Sequence, residues 1–192
     1  KLLELSHYLL GDYNELKPQQ LHDYLQQGLK QLSAPAIYLG MRESMQHLAQ
    51  HFVYAQNNSK ALTRAQQQND LCTFDCLGEA AVGEDDAKSY FDNYHNLIHQ
   101  LSQDNSKQQH SVSIKLSALH GRFAAKQYAR IKPILVERVF TLALAAKQAN
   151  IALTIDAEEA DKLMITLDVF ACVRANSKLE NWHKLGLAVQ AY

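Results

Sequence analysis

The sequence is poor in the residues that build special chemistry. It holds three cysteines, three prolines, seven glycines and one tryptophan in 192 residues. An odd set of thiols cannot all pair, and no CxxC stands among Cys72, Cys76 and Cys172. That excludes a disulfide framework and leaves reduced thiols of a cytoplasmic protein as the reading. No run of about eighteen uncharged apolar residues is present, so a membrane-spanning helix is not expected. No secretory or transit pattern is visible at the start. Neither sign of charge is in excess: 19 Lys+Arg against 20 Asp+Glu leave a net charge of −1, which offers no field for nucleic acid. The glycine patterns GxGxxG and GxxxxGK[ST] are missing, which argues against a dinucleotide or P-loop fold.

What remains is ordinary globular material. With 47% hydrophobic and 20% charged residues, the chain can bury one sizeable core with an appendage. It opens at Lys1 inside an amphipathic stretch, KLLELSHYLL, and closes on the apolar run LGLAVQAY. An apolar strand pattern needs neighbours on both sides. The expectation is therefore a piece of a longer protein.

Two regimes follow one another. Residues 1–69 read as a helical arm. Leu21, Leu25, Leu29 and Leu32 mark one helix. Ser33 is the expected N-cap of the next, with Pro35 in its first turn and Ile37, Met41, Met45, Leu48 and Phe52 on one face. Asn57 and Asn58 should stop that helix, and Ser59 should cap the segment KALTRAQQQ. From residue 70 the pattern alternates strand and helix. Strand starts fall near residues 71, 111, 151 and 185, with helices over about 85–103, 126–149 and from 158 onward. Pro133 marks an early turn or kink in the second of these helices. Repeated strand–helix units predict a parallel α/β sheet. Without a phosphate-binding loop, the fold class that fits is a partial (β/α)8 barrel, its first four units spanning residues 70–192.

The strands carry the chemical argument, because successive side chains point to opposite faces. In SVSIKLSAL, Val112, Ile114 and Leu116 oppose Ser113, Lys115 and Ser117. In IALTID, Ile151, Leu153 and Ile155 oppose Ala152, Thr154 and Asp156. In LGLAVQA, Leu185, Leu187 and Val189 oppose Gly186, Ala188 and Gln190. Each strand thus has a large aliphatic face for helices to cover. Its other face is small and ends in one long polar residue. Barrel enzymes place their chemistry at that C-terminal end of the strands. Asp75 and Glu79 follow the first strand in the same sense.

The motifs FDCLGEAA (74–81), SVSIKLSALHGR (111–122), LTIDAEEADKLMITLDVF (153–170) and LGLAVQAY (185–192) resemble successive strand segments of the proline dehydrogenase barrel. The likeness is to the form found in bacterial bifunctional proline utilisation A proteins. APAIYLGMRESMQHLAQHFV (34–53) resembles the arm preceding that barrel. The resemblance implies a distorted (βα)8 barrel that binds FAD without a Rossmann fingerprint. It implies oxidation of L-proline to Δ1-pyrroline-5-carboxylate, with hydride passing to the flavin and electrons to a membrane quinone. The place of work would be the cytoplasm, peripheral to the inner membrane. A separate NAD-dependent aldehyde dehydrogenase domain completes the bifunctional proteins.

By position, Lys115 resembles the lysine that helps bind the proline carboxylate, and Asp156 the aspartate beside flavin and substrate. These two are the catalytic expectation. Gln190 resembles the glutamine on the flavin ring. Asp75 and Glu79 match acidic positions expected to hold basic partners at the substrate. Glu158 is expected either to contact the cofactor or to cap the following helix. The family's paired arginines and the residues holding the adenine end belong to later segments. The resemblance therefore implies weak or absent flavin and no activity for these 192 residues alone, with self-association through the arm or the barrel edges.

Other readings of the same residues stay open at this point. Lys115 could serve an aldolase-type barrel as a Schiff-base amine, with Asp156 or Glu158 carrying protons. The helical arm could be a non-catalytic assembly module. His47/His51 and His95/His99 have the i, i+4 spacing of a helical metal pair but lack HExxH, and no metal is expected.

Overall fold

A computed structural model describes residues 34–49, 51–76, 80–104 and 108–190. The chain divides into two compact units, residues 1–56 and 57–192. Helix α1, Ala34–Ala49, belongs to the first unit and takes Pro35 into its first turn, where a missing N–H costs nothing. Met41, Met45 and Leu48 share its face and are exposed. Its expected cap Ser33, and the leucine stripe before it, lie outside the described residues.

The second unit opens with α2, Asn58–Gln68. Its cap is Asn57, not Ser59: Asn57 is extended, with φ −157°, and its side-chain oxygen accepts the Lys60 N–H at 2.9 Å. Ser59 is already helical, and its carbonyl accepts the Thr63 hydroxyl instead. An extended residue with a short polar side chain reaches the N–H three residues on, which a residue inside the first turn cannot do. Asn58 and Gln66 of α2 donate to Asn93 and Asp104 further along this unit. The compact unit that holds the sheet begins ahead of α2, at residue 57.

Strand–helix units then follow: β1 Thr73–Asp75, α3 Glu84–Ser102, β2 Ser111–Lys115, α4 Tyr128–Gln148, β3 Ala152–Asp156, α5 Leu163–Arg174 and β4 Leu185–Ala188. All four strands are parallel, in the order β1-β2-β3-β4. This is the arrangement of part of a (β/α)8 barrel, with a helical arm ahead of it in sequence. Acidic residues open α3, as the positive end of a helix favours. The Asp86 carboxylate there accepts the N–H groups of Val82 and Gly83. Pro133 lies early in α4, after a 3-10 turn over Ala125–Gln127.

The outward strand face is the core. Val112, Ile114, Leu153 and Ile155 are fully buried together with Leu97 of α3, Leu135, Val139 and Leu142 of α4, and Val169 of α5. Each such aliphatic side chain contributes about 1.5–3 kcal/mol of transfer free energy. Cover thins along β4, where Leu185 is buried, Leu187 half-buried and Val189 exposed. The strands stop earlier than their apolar patterns suggest. After Lys115 the chain tightens into a 3-10 turn, Leu116–Ala118, so Leu116 and Ser117 leave the pleat.

The connections at the C-terminal strand ends are laced together. The Ala81 N–H donates to the Ser117 carbonyl at 3.1 Å. Arg138 of α4 donates to the Leu119 carbonyl at 2.5 Å and pairs with Glu84 at the start of α3. At Gly121 two backbones nearly touch, since a Cβ there would lie 2.9 Å from Gly83 N and from the carbonyl carbon and oxygen of Val82. Gly121→Ala should therefore cost about 1–3 kcal/mol, read as a lowered urea midpoint, because neither contact is a flexible side chain. Beside it, burial pushes the His120 imidazole below its ordinary range, with Arg138, Arg122 and Arg130 acting in the same sense and Glu84 opposing. The fold thus favours neutral His120, while the unfolded chain takes up its proton at higher pH. This contribution is full above the ordinary histidine value of about 6.5 and is lost as pH falls below it. The urea midpoint of His120→Asn should accordingly fall less than that of the wild type between pH 7.5 and 5.5.

Candidate active site

Parallel pairing sets the side chains at the strand ends in rows. Asp75 is in register with Ser113, Lys115 with Asp156, and Asp156 in turn with Ala188. Residues in register point to the same face of a sheet. Thr73, Asp75, Ser111, Ser113, Lys115, Ala152, Thr154, Asp156, Gly186 and Ala188 therefore share the face opposite the helices. Lower on that face the hydroxyls of Thr73 and Ser111 are 2.7 Å apart. Above them the Ser113 Oγ is buried, with no hydrogen-bond partner among the described residues.

Lys115 occupies the centre. Its Nζ lies 2.5 Å from Asp75 Oδ1 and 3.8 Å from Asp156 Oδ2. The three side chains are partly exposed, so the ion pairs add little stability, about 0–1 kcal/mol each. Their effect is geometric. A flexible four-carbon stem would otherwise sweep its charge through solvent, and two carboxylates on neighbouring strands hold it over the middle of the sheet.

Glu158 is engaged with Ser117. One of its carboxylate oxygens accepts the Ser117 N–H at 3.0 Å, and the other accepts the Ser117 hydroxyl. It ties the segment after β3 to the turn after β2. Gln190, two residues beyond β4, is exposed. Glu79 lies outside the described residues. The structure thus brings together Lys115, Asp75 and Asp156, with Glu158 bracing the turn behind them.

Two side chains escaped the sequence reading. Tyr94 sits on the apolar stripe of α3 and is buried, yet its hydroxyl accepts the Lys115 backbone N–H at 3.2 Å. A lone hydroxyl on an otherwise apolar stripe was the available signal. Ser113 was assigned to the inner face, but nothing in its spacing marks a buried, unpaired oxygen. The i, i+4 histidines take other contacts: His47 meets His51 edge-on at 5.8 Å, and His95 stacks on Phe91. Among the described residues no group of three His, Cys, Asp or Glu side chains is placed to hold a metal ion. His120 Nδ1 accepts the Arg122 N–H within its own loop.

Residues 58–192 match the family described as Proline dehydrogenase. The Bifunctional protein PutA of Salmonella typhimurium is 35% identical over 165 residues, which is 82% of this chain and 12% of that protein. The protein of the same name from Rhizobium meliloti is 35% identical over 164 residues, 82% of this chain and 13% of that one. Among solved structures, a Bradyrhizobium japonicum Proline Utilization A mutant superposes with a TM-score of 0.69 at 38% identity, over 88% of this chain and 18% of that chain. A further proline utilization A structure, described as having proline bound in remote sites, gives a TM-score of 0.67 at 38% identity. The chain spans about an eighth of the length of the curated relatives it matches. The match to the family takes in all four strands and the Lys115 cluster between them. This chain belongs to the proline dehydrogenase family, in the form carried by the bifunctional PutA proteins.

Proposed function

We propose that this chain supplies the first half of the substrate and flavin mouth of an FAD-dependent proline dehydrogenase, which oxidises L-proline to Δ1-pyrroline-5-carboxylate. The observation that carries the reading is Lys115, held between Asp75 and Asp156 at the C-terminal ends of adjacent parallel strands. A compact ammonium with three donors suits an amino acid carboxylate, and the same cation can serve the ligand and its two protein carboxylates.

The residues present fit a flavin. Near Lys115 the inner face is floored by Thr154, Gly186 and Ala188, side chains small enough to leave room for a planar ring. Ser113 adds a buried hydroxyl without a partner among the described residues. Asp156 and Gln190 are the side chains that would meet the ring's polar atoms, the amide both donating and accepting. When bound, FAD supplies the two-electron acceptor chemistry that no side chain can. The chain's own residues bind and orient. Lys115 takes the substrate carboxylate, Asp75 and Asp156 fix Lys115, and Glu158 braces the turn that follows it. Glu79 is assigned to the same substrate side as Asp75. A Schiff-base role suits Lys115 less, because an ammonium paired on both sides lacks the free lone pair that carbonyl attack needs.

The family reading extends to a membrane quinone as electron acceptor and to an NAD-dependent aldehyde dehydrogenase as companion domain. No helix among the described residues is long and apolar enough to cross a membrane, so the quinone would be met from the surface, on the cytoplasmic side. Self-association through the exposed apolar face of α1 or the edges of the sheet completes the proposal.

Four strands are half of what a closed barrel uses. The purified 192-residue chain is therefore expected to bind added FAD weakly and to reduce no dye with L-proline. Stoichiometric bound flavin with turnover would overturn that expectation. Carboxylate recognition is tested separately, by titrating the chain with L-proline and following amide chemical shifts. Lys115→Met should raise the dissociation constant roughly tenfold or more, the worth of one charge-assisted hydrogen bond of about 1.5–3 kcal/mol. An unchanged constant would remove Lys115 from the substrate site.

A further inference from the structure

We propose that Tyr94 is a positioning residue for Lys115: its phenol, reaching in from α3, replaces the strand partner that β2 loses at the mouth. The proposal rests on Lys115 being the carboxylate-binding cation, but its geometry does not. β1 pairs with β2 only as far as Asp75, opposite Ser113. β2 runs two residues further, to Lys115. Alternate residues along a strand turn their backbone groups to the same neighbour. The Ser111 N–H meets the Cys72 carbonyl at 3.0 Å on the β1 side, so the Lys115 N–H faces that side too. Among the described residues no β1 residue is in register there to accept it. The Tyr94 hydroxyl does so, at 3.2 Å.

The choice of side chain follows from the place. Tyr94 is 1% exposed and belongs to the core cluster with Leu97, Ile98 and Ile114. A serine or threonine on the helix would be too short to reach the strand end, and a phenylalanine would fill the space but remove this acceptor. Buried backbone donors are costly to strand. Tyr94 holds the Lys115 amide on the β1 side, while on the other side Asp156 stands in register with Lys115 across the β2–β3 ladder. Its Nζ can then satisfy Asp75 and Asp156 at once, a placement that a loose strand end would blur. A residue of the outer helical layer thereby sets the direction of the central cation on the inner face.

The test needs neither flavin nor proline, so it stands apart from the fate of the dehydrogenase reading. Two quantities are measured on the 192-residue chain: amide hydrogen exchange at Lys115 by NMR, and acylation of Lys115 Nζ by an N-hydroxysuccinimide ester, mapped by mass spectrometry. In the wild type the Lys115 amide should be protected to the level of Ser113. In Tyr94→Phe, which keeps the ring, both rates at Lys115 should rise about fivefold, the factor expected for one lost backbone hydrogen bond. Leu97→Val, a core truncation on the same helix, should move neither beyond its effect on Ser113. Equal acceleration in Leu97→Val would reduce Tyr94 to ordinary packing and overturn the proposal, as would unchanged rates in Tyr94→Phe. Should Tyr94→Phe not fold, the wild-type exchange alone decides, since an unprotected Lys115 amide would show that the bond is absent.

Discussion

The pairing of β2 with β3 is the constraint on which the site depends. Parallel hydrogen bonding sets Lys115 in register with Asp156, and a slip of one residue would turn the whole polar row into the helices. That slip is prevented from the other face. Val112, Ile114, Leu153 and Ile155 are fully buried under the helices, and exposing them would cost several times what the ion pairs at the mouth return. The core therefore places the cation. The carboxylates only aim it.

Around that register the molecule spends its polar groups on holding strand ends. Glu158 takes both the backbone and the hydroxyl of Ser117, Tyr94 takes the amide of Lys115, and Arg138 bridges the Leu119 carbonyl to Glu84. Each of these ties an element to one distant in sequence at the C-terminal end of the strands. The opposite end is closed by different means, with His110 buried between Phe74 and Asp104 and its Nδ1 accepting the Cys72 N–H. Such a division matches the habit of barrel enzymes, in which one rim carries function and the other stability.

The legible parts of the sequence were those with a strong period. Alternation of large and small side chains identified three strands and the face each would bury. The strand ends were not legible. LSAL continues the apolar pattern of β2, yet Glu158, forty-one residues on, draws Ser117 into a turn. The cap of α2 was misplaced by two residues because Asn57 and Ser59 are both good capping residues, and backbone conformation alone separates them. α2 likewise has the composition of an arm helix, yet Asn58 and Gln66 donate to Asn93 and Asp104 of the second unit.

The sequence by itself determined the class of fold, the face of each strand that helices would cover, and the residues able to carry a charge at the strand ends. It could do so because those features repeat with the pitch of a strand or helix and need only near neighbours. The tertiary structure decided which charges meet. Lys115 lies forty residues from Asp75 and forty-one from Asp156, and only the stacking of three strands converts those separations into 2.5 and 3.8 Å. It also decided that Glu158 serves a backbone turn and that Tyr94 ends a ladder, because each of those bonds depends on where a neighbouring strand stops.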